Sequence, residues 1–201
     1  MRINTLRLRA IIGWLGMLLP WIVVVLIKDF PQSISATWYT NACTPFMIIL
    51  GSASMLLICY KGYTTFDDVV LTCAGIAGLC ICLFPCGNSA FEEVGTFMID
   101  SRMSSIVHNT SAVIFFALLS YNSFFLFTKS SGEETRKKRA RNVIYRICGI
   151  GMLASFALLL LPWFYIQFWL VETIALFFFG ISFLTKADIY PWLFCDTPYT
   201  D

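Results

Sequence analysis

The sequence is short of charge. Of 201 residues, 14 are Lys or Arg and 12 are Asp or Glu, which makes 13% charged against 58% hydrophobic. Soluble domains average about 25% charged and about 45–50% apolar. Twenty-six charges would cover the exterior of a water-soluble fold of this size poorly. Histidine is scarcer still, with one in the chain. A catalytic zinc centre uses three protein ligands, usually several of them His, so one His excludes the common forms, and we expect neither metal nor cofactor. The eight cysteines follow neither zinc spacing nor a disulfide framework. No internal repeat aligns: Leu18-Leu19-Pro20-Trp21 and Leu160-Leu161-Pro162-Trp163 match, but their flanks do not. No nucleophile-elbow pattern is present. Short alternating segments, the mark of a membrane β-barrel, are missing as well.

Long apolar runs are what the chain does have. Six stand out, at Ile11–Ile27, Cys43–Tyr60, Val69–Pro85, Ile106–Thr128, Ile144–Trp163 and Ile166–Thr185, and mean hydropathy is +0.76. A bilayer core of about 30 Å takes about 20 helical residues, and lipid forces the backbone to satisfy its own hydrogen bonds. The expected fold is therefore all-α, a polytopic integral membrane protein forming one six-transmembrane-helix bundle over residues 1–201. The basic N-terminus and first run are not read as a signal peptide. The run is too long, and Lys28, Asp29 and Pro31 separate it from the small residues that follow.

Basic residues set the orientation. With the N-terminus inside, the cytoplasmic segments hold 12 of the 14 Lys and Arg, and the outer segments hold only Lys28 and Arg102. The positive-inside rule thus gives both termini in the cytoplasm, and the cell membrane is the expected location. Trp38, Tyr39, Trp163, Tyr165 and Trp169 fall at the outer level, and Tyr60, Tyr63, Tyr190 and Trp192 at the inner one, as an aromatic belt. The third run carries a small-residue stripe, Ala74, Gly78, Cys82 and Cys86, that suits close helix packing and suggests a central position. The outer segment Gly87–Ser105 has the length for an interfacial helix. Cys43 and Cys86 both fall near the outer face. Two free buried thiols are the first reading, and a disulfide stays open until their separation is known.

Two polar residues lie where lipid penalises them. Glu172 sits six residues into the last run, roughly 9 Å deep at 1.5 Å per residue. His108 opens the fourth run. An acid inside a span normally faces a cavity or a partner. Taken alone, the pair reads as a hydrogen bond locking two helices. With the strip Ser33–Thr37 and the turn Pro85-Cys86-Gly87-Asn88 at the same level, it reads as an outward-facing polar pocket. The expected ligand-binding residues are His108, Glu172, Asn109, Ser111, Ser35 and Arg102, with Arg102 the reserve partner of Glu172. Catalytic candidates are His108 with Glu172 or Asp100, including a Ser104 or Ser105, His108, Asp100 arrangement. On the inner side, Lys129–Arg146 carries net charge +5. Arg136, Lys137, Lys138, Arg139 and Arg141 are the expected contacts to anionic lipid, and charge topology already accounts for such a cluster without nucleic acid.

Three segments together carry a likeness. Phe30–Thr37 followed by Pro45, Val107–Ala112 followed by Phe115-Phe116, and Glu172 followed by Phe183-Leu184-Thr185 and Asp188 resemble motifs of the damage-regulated autophagy modulator family and its Frag and Sfk relatives. Uncharacterised bacterial membrane proteins share the layout. The first-loop Gly of that family is absent, and Phe46 stands where an acid often follows the proline. The resemblance implies six spans and a lipid-related role. Binding or regulating membrane lipid through the pocket is the leading expectation. A lipid-modifying enzyme and a scaffold that recruits a partner through 129–146 are the alternatives. A transporter would need broken helices at mid-membrane, and only Gly51-Ser52-Ala53-Ser54 offers one. Membrane lipids are the expected partners, with a second copy or another membrane protein left open.

Overall fold

The computed structural model describes residues 5–130, 135–158 and 167–189. Six α-helices account for most of them: α1 (Thr5–Ile27), α2 (Cys43–Ile58), α3 (Thr65–Leu83), α4 (Ser101–Tyr121), α5 (Arg136–Ala157) and α6 (Phe168–Lys186). A single π-helical turn, Asn122–Leu126, continues α4, and a 3-10 turn, Ser35–Tyr39, lies between α1 and α2. The only strands among the described residues are β1 (Glu93–Val94) and β2 (Ile99–Asp100), a small antiparallel hairpin. It stands where a sequence reading expects an interfacial helix. Gly95 at φ +80° makes the tight reversal between the strands, a conformation glycine tolerates.

Helix starts follow ordinary capping chemistry. Thr64 accepts from Asp67 N at the start of α3, Asp100 from Met103 N at α4, and Thr135 from Lys138 N at α5. The last of these corrects the sequence boundary. Arg136–Arg146 belongs to α5 rather than to a loop before it, because Arg, Lys and Ala favour helix once Thr135 has capped the first turn. The expected ends of the fifth span and start of the sixth, with Trp163, Tyr165, Tyr190 and Trp192, lie outside the described residues.

Among the described residues, four helical stretches are long and apolar enough to cross a membrane: Thr5–Ile27, Thr65–Leu83, Ser101–Leu126 and Phe168–Lys186. α2 is apolar but shorter. The bundle's exterior supports the same conclusion. Trp14, Trp21, Val25, Ile48, Ile76, Val113, Ile147 and Ile150 are exposed on different helices. Water would not tolerate so extended an apolar surface. The interior is apolar too, with Ile12, Phe46, Leu71, Phe115 and Phe183 buried, and it also holds Ser54, Ser120, Ser123, Ser182 and Thr185.

The helices form a ring in chain order. α2 packs on α3, α3 on α4 and α5 on α6, α4 meets α5 largely through the π turn, and α1 closes the ring against α6 and α2. α3 is therefore one member of the ring, not its centre. Its stripe does serve close packing. A Cβ on Gly78 would overlap the Ser54 hydroxyl of α2. The α1–α6 closure is equally tight, since a Cβ on Gly180 would stand 2.9 Å from the Gly13 carbonyl oxygen.

One end of the ring carries the 28–42 and 84–100 segments. It is called the hairpin end below. The other carries the turn at 59–64, the π turn and the start of α5. It is the basic end.

Candidate functional site

The residues singled out by sequence gather at the hairpin end. The segment after α1 is bound down onto the start of α6. Trp169 N donates to Gln32 O at 3.1 Å, and the rings of Phe30 and Trp169 stack at 4.7 Å. Glu172 then takes both of its neighbours from the same segment. Its Oε2 accepts from Ile34 N, and its Oε1 accepts from the Ser35 hydroxyl at 3.1 Å. A buried carboxylate needs such donors, and these hold the 3-10 turn in place.

His108 is fixed from the other side. Its Nδ1 donates to Phe84 O at 2.8 Å, where the chain leaves α3. In the neutral ring that leaves Nε2 as an acceptor. Ser104 donates to Pro85 O at 2.7 Å, and Tyr39 OH donates to Cys86 O at 2.5 Å. The 84–88 segment is thus held by α4 on one side and by the 3-10 turn on the other.

Glu172 and His108 do not hydrogen-bond to each other. Both line one cavity of about 440 Å³ inside the ring. Every helix contributes to its wall. All six polar lining residues, Ser33, Ser35, Cys86, His108, Asn109 and Glu172, lie toward the hairpin end, where Ile34, Phe46, Ile81 and Phe168 line it with them. Further along the helices, at Phe115, Phe116, Ala117 and Leu176, the lining is wholly apolar. Helical spacing produces this arrangement. Phe168, Glu172 and Leu176 recur every four residues on α6, and His108, Ala112 and Phe115-Phe116 do so on α4. The lining also includes Val113 and Leu153, both exposed on the outer, apolar surface of the bundle. The cavity therefore reaches that surface between α4 and α5.

The remaining expected residues fall elsewhere. Ser111 is buried on α4 but does not line the cavity. Arg102 is not a partner of Glu172. It lines a separate surface groove of about 650 Å³ beside Glu92, Glu93 and Asp100, because helix α4 turns its first residues away from the ring. Asp100 is occupied in capping α4, the Ser104 hydroxyl bonds Pro85 O, and Ser105 lines the surface groove rather than the cavity of His108, so the Ser-His-Asp arrangement is not assembled. On α5, Arg136 and Arg139 are exposed, and Lys137 and Arg141 are half-buried. Lys138 is not a surface contact. It is buried, with Nζ donating to Phe127 O at 3.1 Å.

Cys86, which the sequence offers only as a disulfide candidate and as part of the turn at the pocket's level, lines the cavity itself. Burial pushes its thiol up to about 11, and the Glu172 charge adds to the effect. It stays protonated near neutral pH and is a poor nucleophile. Cys43 and Cys86 are both free thiols here. Among the described residues no cluster of three or more His, Cys, Asp or Glu is placed to hold a metal ion.

Comparison of the chain with protein-family models, with curated proteins and with solved structures finds no match.

Proposed function

We propose that this chain is a six-span protein of the cell membrane, with both ends in the cytoplasm, that binds a lipid-like amphiphile inside its helical ring. The observation that carries this reading is the lining of the 440 Å³ cavity, whose polar groups are all gathered toward the hairpin end among apolar residues and which is wholly apolar deeper in the ring. Ligand cavities of about 300–1,000 Å³, mostly apolar with a few fixed polar groups, are the usual form of a small-molecule site. The exposed Val113 and Leu153 on its margin give a tail a route to the surrounding bilayer. The charge split of 12 basic residues to 2 supports the orientation, with the hairpin end outside. The motifs that resemble the damage-regulated autophagy modulator family include Ser33, Ser35, His108 and Glu172 of the lining, which favours a lipid-related role.

The polar lining also favours one class of headgroup. Glu172, the acceptor Nε2 of His108 and the Asn109 amide offer acceptors, and no Lys or Arg is among the lining residues. A phosphate would find no cation there and would face a carboxylate. An amine or a hydroxylated, uncharged head suits the site.

The test is lipid retention. Protein purified in mild detergent should carry lipid with such a head, quantified by mass spectrometry. Ala112→Phe fills the cavity beneath His108 and should strip that lipid while thermal unfolding stays cooperative. Equal retention by the filled variant would overturn the reading.

The start of α5 adds a second contact with the membrane. Exposed Arg136 and Arg139 suit anionic headgroups at about 1 kcal/mol per residue near the surface.

A further inference from the structure

Asn122 follows α4 directly and sits between the buried Ser120 and Ser123. It is 1% exposed, and neither its Nδ2 nor its Oδ1 has a hydrogen-bond partner. Buried amides are normally satisfied, so an unsatisfied one asks what else belongs beside it. It is also the first residue of the π turn Asn122–Leu126, an interruption of α4 of the kind that is frequent at functional sites.

Asn122 lines a cavity of about 40 Å³ at the basic end, far from the lipid cavity. Arg9 of α1, Tyr60 and Tyr63 of the α2–α3 turn, and Lys186 of α6 line it too. The two cations are held without a carboxylate. Arg9 Nε donates to Tyr60 OH at 2.8 Å, and Arg9 Nη1 to Lys186 O at 3.3 Å. Lys186, only 7% exposed, donates to Phe127 O at 3.2 Å and to Tyr63 OH at 3.5 Å. It also stands 5.0 Å from the Tyr63 ring centre and 5.2 Å from that of Phe127. The one carboxylate on the cavity wall, Asp67, is committed elsewhere. It accepts from Lys129 Nζ at 2.5 Å, from Thr64 Oγ1 at 2.7 Å and from Tyr63 N at 3.1 Å. Lys129 and Asp67 cancel, and although Asp188 acts on Lys186, so do Lys138, Arg9 and Arg141, so positive charge predominates around the cavity. A water would satisfy Asn122 but would leave that charge uncompensated.

We propose that this cavity binds a phosphate-type oxyanion. Asn122 Nδ2, the Arg9 guanidinium and the Lys186 ammonium supply donors from three helices. Tyr60 and Tyr63 each accept from a cation through the hydroxyl oxygen and keep a proton to donate. Donors converging from several directions suit a tetrahedral group with several oxygens. Forty cubic ångströms exceeds the roughly 10–15 Å³ that one water needs, but it admits only a phosphoryl group and not a whole headgroup or nucleotide. The rest of a larger ligand would lie outside, beside the exposed Tyr63. The phosphoryl group belongs either to free phosphate or to the terminal phosphomonoester of an anionic lipid at that surface. Once bound, it ties α1, the α2–α3 turn, α4 and α6 together.

Thermal unfolding of the full chain tests this. Inorganic phosphate is titrated in detergent at constant ionic strength, against a bulky organic anion as background. The same protein is then placed in phosphatidylcholine nanodiscs with and without a phosphatidylinositol monophosphate. A saturable rise in Tm with phosphate alone identifies a free anion as the ligand. A rise only with the phosphomonoester lipid identifies the headgroup. In either case Lys186→Met and Asn122→Leu should weaken the apparent affinity about tenfold or more, the loss of a charge-assisted or amide contact. Arg139→Gln, on the exposed face of α5, should leave it unchanged. Asn122→Leu removes two unsatisfied atoms at similar volume, so it should fold at least as well as the wild type without phosphate. No saturable rise with either probe, or the same rise in Asn122→Leu as in wild type, would overturn the proposal.

Discussion

Replacing Glu172 separates its part in holding the chain from its part in holding a ligand. The carboxylate accepts from Ile34 N and from the Ser35 hydroxyl, and Ile34 is 3% exposed. In Glu172→Gln both contacts survive in altered form. The amide oxygen accepts from Ile34 N, and the amide nitrogen donates to Ser35 Oγ, whose proton turns away. What is lost is charge assistance, worth about 1 kcal/mol as the difference between charged and neutral hydrogen bonds. Glu172→Leu removes both acceptors. The buried Ile34 N–H is then left without a partner, and the total cost rises to about 2–4 kcal/mol. For a chain of this size 1 kcal/mol corresponds to about 2–4 °C in Tm. The expected drops are therefore about 2–4 °C for Gln and two to four times that for Leu, read by differential scanning fluorimetry in detergent. Lipid retention should follow a different order. Gln removes the charge facing the headgroup and should lose an amine-headed lipid nearly as completely as Leu does. If Gln destabilised as much as Leu, the hydrogen-bond account would be wrong. If Gln kept the full lipid complement at wild-type Tm, Glu172 would have no part in binding.

Other expectations follow from single contacts. Gly78→Val drives a side chain into Ser54 of α2 and should destabilise by roughly 1–3 kcal/mol, measured as a shifted unfolding midpoint; a neutral result would mean that α2 and α3 are not closely packed there. With its thiol pushed up to about 11, Cys86 is only about one part in a thousand thiolate at pH 8. In a single-cysteine variant its maleimide labelling should be slow and should rise about tenfold per pH unit up to pH 10, whereas a rate at pH 8 equal to that of the exposed Cys59 would contradict its burial. Reporter fusions at Asn88, Gly132 and the C-terminus should read outside, inside and inside; a C-terminus outside would break the six-span topology.

Hydropathy made the helices legible, because lipid imposes length and apolarity directly on sequence. Boundaries moved where local chemistry outweighed hydropathy. α5 starts at Arg136 because Thr135 caps it, and its basic residues are good helix formers that an apolarity criterion discards. The hairpin at 93–100 was hidden because each strand has only two residues and no alternation to read. α3 looked central from its small residues, but close packing with two neighbours in a ring asks for the same stripe. For the site, Glu172, His108 and Asn109 stand out because polar groups in an apolar span are costly, and Ser35 because its strip reaches the same level. Their actual partners do not, since Ile34 N and Phe84 O are backbone groups that any sequence supplies. The apolar wall was equally silent, as Phe116 or Leu153 look the same in a packed core as in a cavity lining. Arg102 was misplaced because depth along a helix says nothing about which way its first turn faces.

The most direct test of lipid binding inside the ring is photo-crosslinking in intact membranes. The probe is a lipid analogue with a diazirine in its tail and an amine-bearing head, and the adducts are mapped by peptide mass spectrometry. The expected adducts fall on Phe116, Leu153 and Phe156, which belong to the apolar wall of the cavity. They should be competed by the unlabelled amine-headed lipid, much less by a phosphatidic acid of the same chain length, and they should disappear in Ala112→Phe. Adducts confined to the outer face, at residues such as Trp14, Ile48 and Ile147, and unchanged in Ala112→Phe, would contradict a lipid held within the ring.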